Sequence, residues 1–206
     1  MNKVIAYVDG FNLYFGLRDR GWRKYYWLDL EELLRRLLKS HQELEGIHYF
    51  TSRIQHHRNN KASMDRQAIY LHALNTLDSV SLHFGHYLQK PRHCLNCGAT
   101  WMSHEEKMTD VNIATQLLAD AYEDRFDTAL LMSADSDLTT PVRLVLDRFR
   151  NKRIVVVQPP RRRSVELGSA ATACFTVGEA NLRRSQFPDP LTTKDGLILR
   201  RPEHWK

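Results

Sequence analysis

The chain has 206 residues, enough for one domain with a sizeable core, and 42% are hydrophobic, 26% charged and 10% aromatic. Its 9 Gly and 7 Pro exclude collagen-like, low-complexity and disordered classes, and no apolar run approaches the ~20 residues of a membrane-spanning helix. The 30 Lys+Arg against 24 Asp+Glu give a net charge of +6, compatible with a polyanionic partner without establishing one.

Residues 4–8 (Val-Ile-Ala-Tyr-Val) are a short apolar run with β-branched members, which reads as a buried strand ended by Asp9-Gly10. This start reads as strand rather than secretory leader, and 3 Cys cannot all pair, so a reduced, cytoplasmic setting is expected. Residues 12–17 read as the opening of a helix. Asp29 is a candidate N-cap for the next, in which Leu30, Leu33, Leu34, Leu37 and Leu38 keep helical spacing. Gly46 breaks the pattern, and residues 47–51 read as a second strand. A polar, basic loop at residues 56–61 precedes a helix marked by Ile69, Leu71, Leu74 and Leu77. Residues 80–88 alternate and read as a third strand, and residues 91–105, which hold Cys94 and Cys97, read as irregular.

An amphipathic helix opens at Thr109 or Asp110 and carries Val111, Ile113, Leu117, Leu118 and Ala121. Residues 129–132 read as a buried strand ending at Ser133-Ala134-Asp135-Ser136-Asp137. Pro141 sits at the start of another helix, and residues 153–157 are a further apolar run halted by Pro159-Pro160. Residues 174–177 close the pattern as a last short strand. Strands alternating with helices predict an α/β fold with a mainly parallel sheet covered on both faces. The expected division is a domain over residues 1–178, with a Cys-containing insertion at about 90–106, and a polar C-terminal tail over 179–206.

In an open α/β sheet, ligands sit beyond the carboxyl ends of the strands. The first strand ends in Asp9, followed by Asn12; the strand at 129–132 ends in Asp135 and Asp137; Asp110 stands at a helix N-terminus. Were the strands adjacent, these four carboxylates would converge, and mutual repulsion would raise several pKa values. A divalent cation resolves the conflict, and oxygen-only ligation favours Mg²⁺ or Mn²⁺ over Zn²⁺. Such a site lowers the pKa of water and stabilises charge on a phosphodiester. Taken singly, each Asp reads as a turn residue or helix cap. Taken together, three segments place Asp at one end of the sheet, where Ser or Thr would cap as well.

Tyr7-Val8-Asp9-Gly10-Phe11-Asn12-Leu13 resembles the opening motif of the NYN domain family, part of the PIN-like nuclease superfamily that includes the bacterial LabA-type proteins. Glu106-Lys107-Met108-Thr109-Asp110-Val111 resembles its second motif and Ser133-Ala134-Asp135-Ser136-Asp137-Leu138 its third, in the family's order. The resemblance implies a three-layer α/β/α sandwich and metal-dependent cleavage of RNA. It makes Asp9, Asp110, Asp135 and Asp137 metal ligands or base, supported by Asn12. Ala134 stands where Gly is common, Leu138 where an aromatic is common, and Met108-Thr109 replaces a small-apolar pair. A few members of the family are described as pyridine-ring hydroxylases of nicotine breakdown that use NADH. That alternative lacks a G-x-G-x-x-G after the first strand, where the chain reads Asp-Gly-Phe-Asn-Leu-Tyr-Phe-Gly. A non-catalytic RNA-binding module is the third reading.

Cys94 and Cys97, at C-x-x-C spacing, suit one face of a structural zinc ion, with His93, His104 or a second chain's knuckle as the remaining ligands. The competing reading is a reduced turn packed under Trp101. Arg161, Arg162 and Arg163 follow a strand and fall on the carboxylate edge; Arg58 and Lys61 fall in the loop after another strand. A carboxylate pit ringed by Arg suits single-stranded nucleic acid, with Phe11, Tyr14 and Phe15 as stacking faces. The competing reading is a solvated loop or a contact to an acidic protein. Trp22 and Tyr25-Tyr26-Trp27 read as packing in a helix hairpin or a subunit interface, so a homodimer is also expected.

Overall fold

Val4, Ala6 and Val8 are buried on one face of the first strand, and Ile5 and Tyr7 on the other. An unbroken apolar run takes this form when both faces of a parallel strand are covered. The computed structural model describes residues 1–54 and 60–206, apart from the side chains of residues 87–90 and 103–106. The chain runs β1 (Asn2–Asp9), α1 (Gly10–Asp19), α2 (Leu30–Leu37), β2 (Gln42–Thr51), α3 (Lys61–Leu74), β3 (Val80–Phe84), β4 (His86–His93), β5 (Thr100–Lys107) and α4 (Thr109–Tyr122). It continues through β6 (Thr128–Met132), α5 (Thr139–Arg148), β7 (Arg153–Gln158), α6 (Val165–Ala170), β8 (Ala173–Thr176), α7 (Glu179–Arg184), β9 (Leu191–Thr192) and β10 (Ile198–Leu199). Short 3-10 turns lie at Arg23–Tyr25, Ser136–Leu138 and Glu203–Trp205.

The central sheet has six strands in the order β3-β2-β1-β6-β7-β8, and every pairing in it is parallel. One face packs on α1, α2 and α3 through Leu13, Leu30, Leu34 and Leu71. The other packs on α4, α5 and α6 through Ile113, Leu117, Val142 and Leu167. This is the expected three-layer α/β/α sandwich. β1 and β6 are neighbours at the centre, where strand order reverses direction.

Several local expectations change. The third strand stops at Phe84, and Gly85 donates its N–H back to the Thr51 carbonyl at 2.8 Å. Residues 86–107 are then not irregular: β4 and β5 form an antiparallel hairpin paired from His86↔Lys107 to His93↔Thr100. Its polar strands carry no apolar alternation, so the sequence gives little sign of it. β2 begins at Gln42, before Gly46, because a register shift between Val4 and Ile5 leaves Glu45 out of the pairing. Leu77 lies beyond the end of α3. α6 was not expected; Ser164 caps it, its Oγ accepting the Leu167 N–H at 3.2 Å.

The segment after Gly178 packs into the core. Leu182, Phe187, Leu199 and Trp205 join the cluster around α1 and α2. Trp205 lies against Tyr26, its ring centroid 5.6 Å away, and against Trp27 at 6.5 Å. The aromatic run that suggested a homodimer is thus satisfied within one chain, and a subunit interface there is not supported. Among the described residues, no helix is long and apolar enough to cross a membrane.

Candidate active site

Asp9 closes β1 and caps α1. Its Oδ1 accepts the Asn12 N–H at 2.9 Å, and its Oδ2 accepts the Asn12 side-chain amide at 2.8 Å and the Ser133 hydroxyl at 3.0 Å. The carboxyl is only 2% exposed. Burial raises its pKa above the usual carboxylate value; the bonds from Asn12 and Ser133 oppose this, and the Asp135 charge adds to it. Asp135 follows the neighbouring strand, β6, and is half-buried. Its N–H donates to the Ser133 Oγ at 3.1 Å, and its Oδ1 accepts the Asp137 N–H at 2.9 Å, capping the 3-10 turn. Asn12 closes the network, its Oδ1 accepting the Ala134 N–H at 3.3 Å.

The cap reading of Asp9 and Asp135 is therefore correct as far as it goes, yet both capping side chains stand at the carboxyl ends of adjacent central strands. Asp137 is exposed on the same turn. Asp110 lies in the first turn of α4, which runs antiparallel to the strands and packs against that 3-10 turn. Met108, just before it, takes a left-handed φ of 77°, turning the chain from β5 into the helix. Asp9 and Asp135 thus stand at one edge of the sheet, with Asp137 on the turn that follows and Asp110 on the helix packed against that turn. Among the described residues, however, no three His, Cys, Asp or Glu side chains are grouped so as to hold a metal ion.

The same holds for the cysteine pair. Cys94 and Cys97 are free thiols in the turn of the β4–β5 hairpin, Cys94 half-buried and Cys97 exposed. Backbone N–H groups of Cys97 and Asn96 hold the Cys94 thiol below its ordinary value. His93 Nδ1 lies 3.2 Å from the Thr100 Oγ1. The complete zinc site is not formed by Cys94, Cys97 and His93, and the His104 side chain lies outside the described residues.

Arg161, Arg162 and Arg163 follow β7 at the carboxyl edge, but they are not equivalent. Arg162 pairs with Asp19 at 2.7 Å and lies 5.7 Å from the Phe15 ring, so it ties this loop to α1. Arg161, with φ 58°, and Arg163 are exposed. Lys61 opens α3 and is exposed; Arg58 lies outside the described residues.

One polar group escaped the sequence reading. On the α4 face, the Tyr7 hydroxyl donates to Asp120 Oδ2 at 2.7 Å, and Gln116 donates to Asp120 Oδ1 at 3.0 Å. His48 Nε2 lies 3.2 Å from Asp120 Oδ2, off the line of a well-directed hydrogen bond. His48 Nδ1 is 2.8 Å from His83 Nε2, so one ring donates to the other. The signal was available: Asp120 falls on the apolar stripe of α4, where a carboxylate needs a partner.

Ser133, which bridges the two strand ends, stands inside a motif whose Asp residues drew the attention. Residues 3–178 match the NYN domain. The chain belongs to the NYN domain family. NYN membership supports a nuclease-type function. The chain is 29% identical to 6-hydroxy-3-succinoylpyridine 3-monooxygenase HspA of Pseudomonas putida (strain DSM 28022 / S16), the match covering 97% of this chain and 74% of that protein. A solved structure, that of the protein of unknown function VPA0982 from Vibrio parahaemolyticus RIMD 2210633, has a similar fold. It superimposes with a TM-score of 0.55 at 19% identity, covering 86% of this chain and 94% of that one.

Proposed function

We propose that this NYN protein is a cytoplasmic, divalent-metal-dependent endoribonuclease acting on single-stranded RNA. The observation that carries the reading is the Asp9 network: a buried carboxylate, raised in pKa, next to Asp135 at the end of the adjacent strand. Two carboxylates so disposed repel each other, and a cation relieves the repulsion. The donor set on this edge is oxygen only, which fits Mg²⁺ or Mn²⁺. Asp9, Asp135 and Asp137 would hold the ion, which supplies a water of lowered pKa and charge neutralisation at the phosphodiester.

The chain's own residues do the positioning. Asn12 and Ser133 fix the Asp9 carboxylate through three hydrogen bonds. Asp110, on the first turn of α4, orients the attacking water. Arg161, Arg163 and Lys61 line the rim for the phosphate backbone, and Arg58, outside the described residues, is a further candidate from the sequence. Hydrolysis adds water across the bond between phosphorus and the 3′ oxygen, leaving a 5′-phosphate on one product and a 3′-hydroxyl on the other.

The test incubates pure protein with single-stranded RNA, with and without Mn²⁺. Mn²⁺-dependent cleavage by wild type and its loss in Asp135→Asn are expected. Equal background cleavage by both rejects the assignment. The name of the Pseudomonas relative favours a second reading, hydroxylation of a pyridine compound with NADH. Consumption of NADH that depends on a hydroxylated pyridine would establish it in place of the first.

A further inference from the structure

Beside the carboxylate edge lies a cavity of about 270 Å³ between α1, β2, α3 and the chain's last turn. Pockets for drug-sized ligands run from ~300 to 1,000 Å³, so this one suits a ring system or a single nucleotide rather than a long ligand. Tyr14, Phe15, Tyr26, Tyr49, Tyr70 and Trp205 line it. Walls of this kind stack planar rings.

Two polar features of the wall are unspent. Tyr26 is 7% exposed, and among the described residues its buried hydroxyl makes no hydrogen bond of good geometry, although the Tyr14 ring lies beside it with centroids 5.0 Å apart. A buried hydroxyl left so costs stability that a ligand acceptor recovers. Arg66 is half-buried on the same wall; its guanidinium donates to the Ser63 Oγ at 2.9 Å, and no described carboxylate pairs with it. An unpaired, partly desolvated guanidinium is a receptor for a phosphate or carboxylate. The contrast is Gln67, whose amide is engaged at both ends: it accepts the Ile54 N–H at 2.8 Å and donates to the Ser52 carbonyl at 2.9 Å. It fixes the wall rather than waiting for a ligand.

The cavity adjoins the Asp9 site. Gly10, directly after Asp9, lines it, and a Cβ there would meet the Tyr49 Oη at 2.5 Å. Burial first and the Asp9 charge second push the Tyr49 phenol above its ordinary range, so Tyr49 stands within the field of Asp9.

We propose that this cavity binds a planar heteroaromatic ring bearing an anionic group, stacked among the aromatic walls with its anion on Arg66 and an acceptor on the Tyr26 hydroxyl. The inference rests on the nuclease reading for one of its two sources: a nucleotide of the RNA strand, whose backbone then crosses the carboxylates. The other source is a free aromatic acid.

Calorimetry on the full-length protein without divalent metal, using uridine and adenosine 5′-monophosphates and pyridine-3-carboxylate, tests it. One site per chain is expected for at least one probe. Arg66→Gln should weaken it about tenfold or more, with part of the loss restored by Arg66→Lys. Tyr26→Phe should weaken binding severalfold while raising the melting temperature of the ligand-free protein, since it deletes an unpaired hydroxyl. Binding of the nucleotides supports the cavity with the strand as source; binding of pyridine-3-carboxylate alone supports it with a free acid. No binding by any probe, or affinities unchanged in both Arg66→Gln and Tyr26→Phe, overturns the proposal even if RNA is still cleaved. Arg66-dependent binding without RNA cleavage leaves the cavity standing and removes the nuclease reading.

Discussion

Ser133 Oγ donates to Asp9 Oδ2 at 3.0 Å, joining the carboxyl ends of two neighbouring strands from residues 124 positions apart. The same oxygen accepts the Asp135 N–H at 3.1 Å, so one hydroxyl positions both carboxylates. Ser133→Ala removes a bond to Asp9 and leaves the part-buried Asp135 N–H without its acceptor, and the expected stability loss is about 1–3 kcal/mol. The Ser133 bond lowers the Asp9 pKa and the Asp135 charge raises it. Carboxyl-detected NMR should therefore show the Asp9 midpoint moving up in Ser133→Ala and down in Asp135→Asn. A midpoint that ignores both changes would separate Asp9 from this network.

Asp120 should control the acid limb of stability. Burial alone would raise its pKa, but the close His48 ring and the hydrogen bonds from Tyr7 and Gln116 outweigh it and hold the carboxyl below its ordinary value. A depressed native pKa means stability that is present above the ordinary value and is lost as pH falls through the native one. Asp120→Asn should cost about 1–3 kcal/mol at neutral pH and flatten the acid limb below about pH 4. His83 acts in the same direction at higher pH: burial first, then His48, hold it below 6.5. Its protonation therefore destabilises the fold as pH drops beneath that value, and His83→Gln should flatten the slope. Urea unfolding between pH 7 and pH 3 reads both effects.

The sheet was legible because its central strands are short apolar runs, 4–8, 129–132 and 154–157, each ended by a polar residue, Asp9, Ser133 or Gln158. Such runs need no partner to be recognised. The β4–β5 hairpin was not legible, since Gln89, Lys90 and Arg92 on one strand and Ser103, His104 and Glu105 on the other give no period-2 apolar signal. At the site, Asp9 and Asp135 were visible from their places after strands. Arg66 and Tyr26 were not, because what sets them apart is that, among the described residues, no carboxylate meets Arg66 and no well-directed hydrogen bond meets the Tyr26 hydroxyl, and a sequence does not record such pairing. The packing of the tail was not legible for a similar reason: Trp205 sits among charged neighbours, and only the fold brings it to Tyr26.

Gly16 in α1 faces the loop that carries Arg161–Arg163. A Cβ at that position would lie 2.6 Å from the Pro160 carbonyl oxygen and 2.9 Å from the Pro159 Cβ. Backbone oxygen and a proline ring cannot step aside, so Gly16→Ala should cost about 1–3 kcal/mol as overpacking. At this chain length that lowers the melting temperature by about 2–4 °C per kcal/mol. Gly46→Ala is the control: the nearest atom to its added Cβ is 3.9 Å away, and its effect should stay within about 0.5 kcal/mol. Equal melting temperatures for the two variants would contradict the close approach of α1 to β7's loop.

Trp205, second from the C-terminus and outside the residues that match the NYN domain, is 6% exposed. Its ring lies 5.6 Å from that of Tyr26 and 6.1 Å from that of Tyr70, centroid to centroid. Truncating a buried indole costs about 3–5 kcal/mol, so Trp205→Ala should remove much of the 5–15 kcal/mol typical of a domain. Deleting everything after residue 178 takes Leu182, Phe187 and Leu199 as well, and it should yield aggregated protein, because it uncovers apolar side chains of the core cluster that α1 and α2 share. Lys206, whose ammonium pairs with exposed Glu203 only, can be removed at little cost. Size-exclusion chromatography and thermal unfolding of the three variants decide the matter: a folded, monomeric 1–178 fragment would show that the last residues are an appendage rather than part of the core.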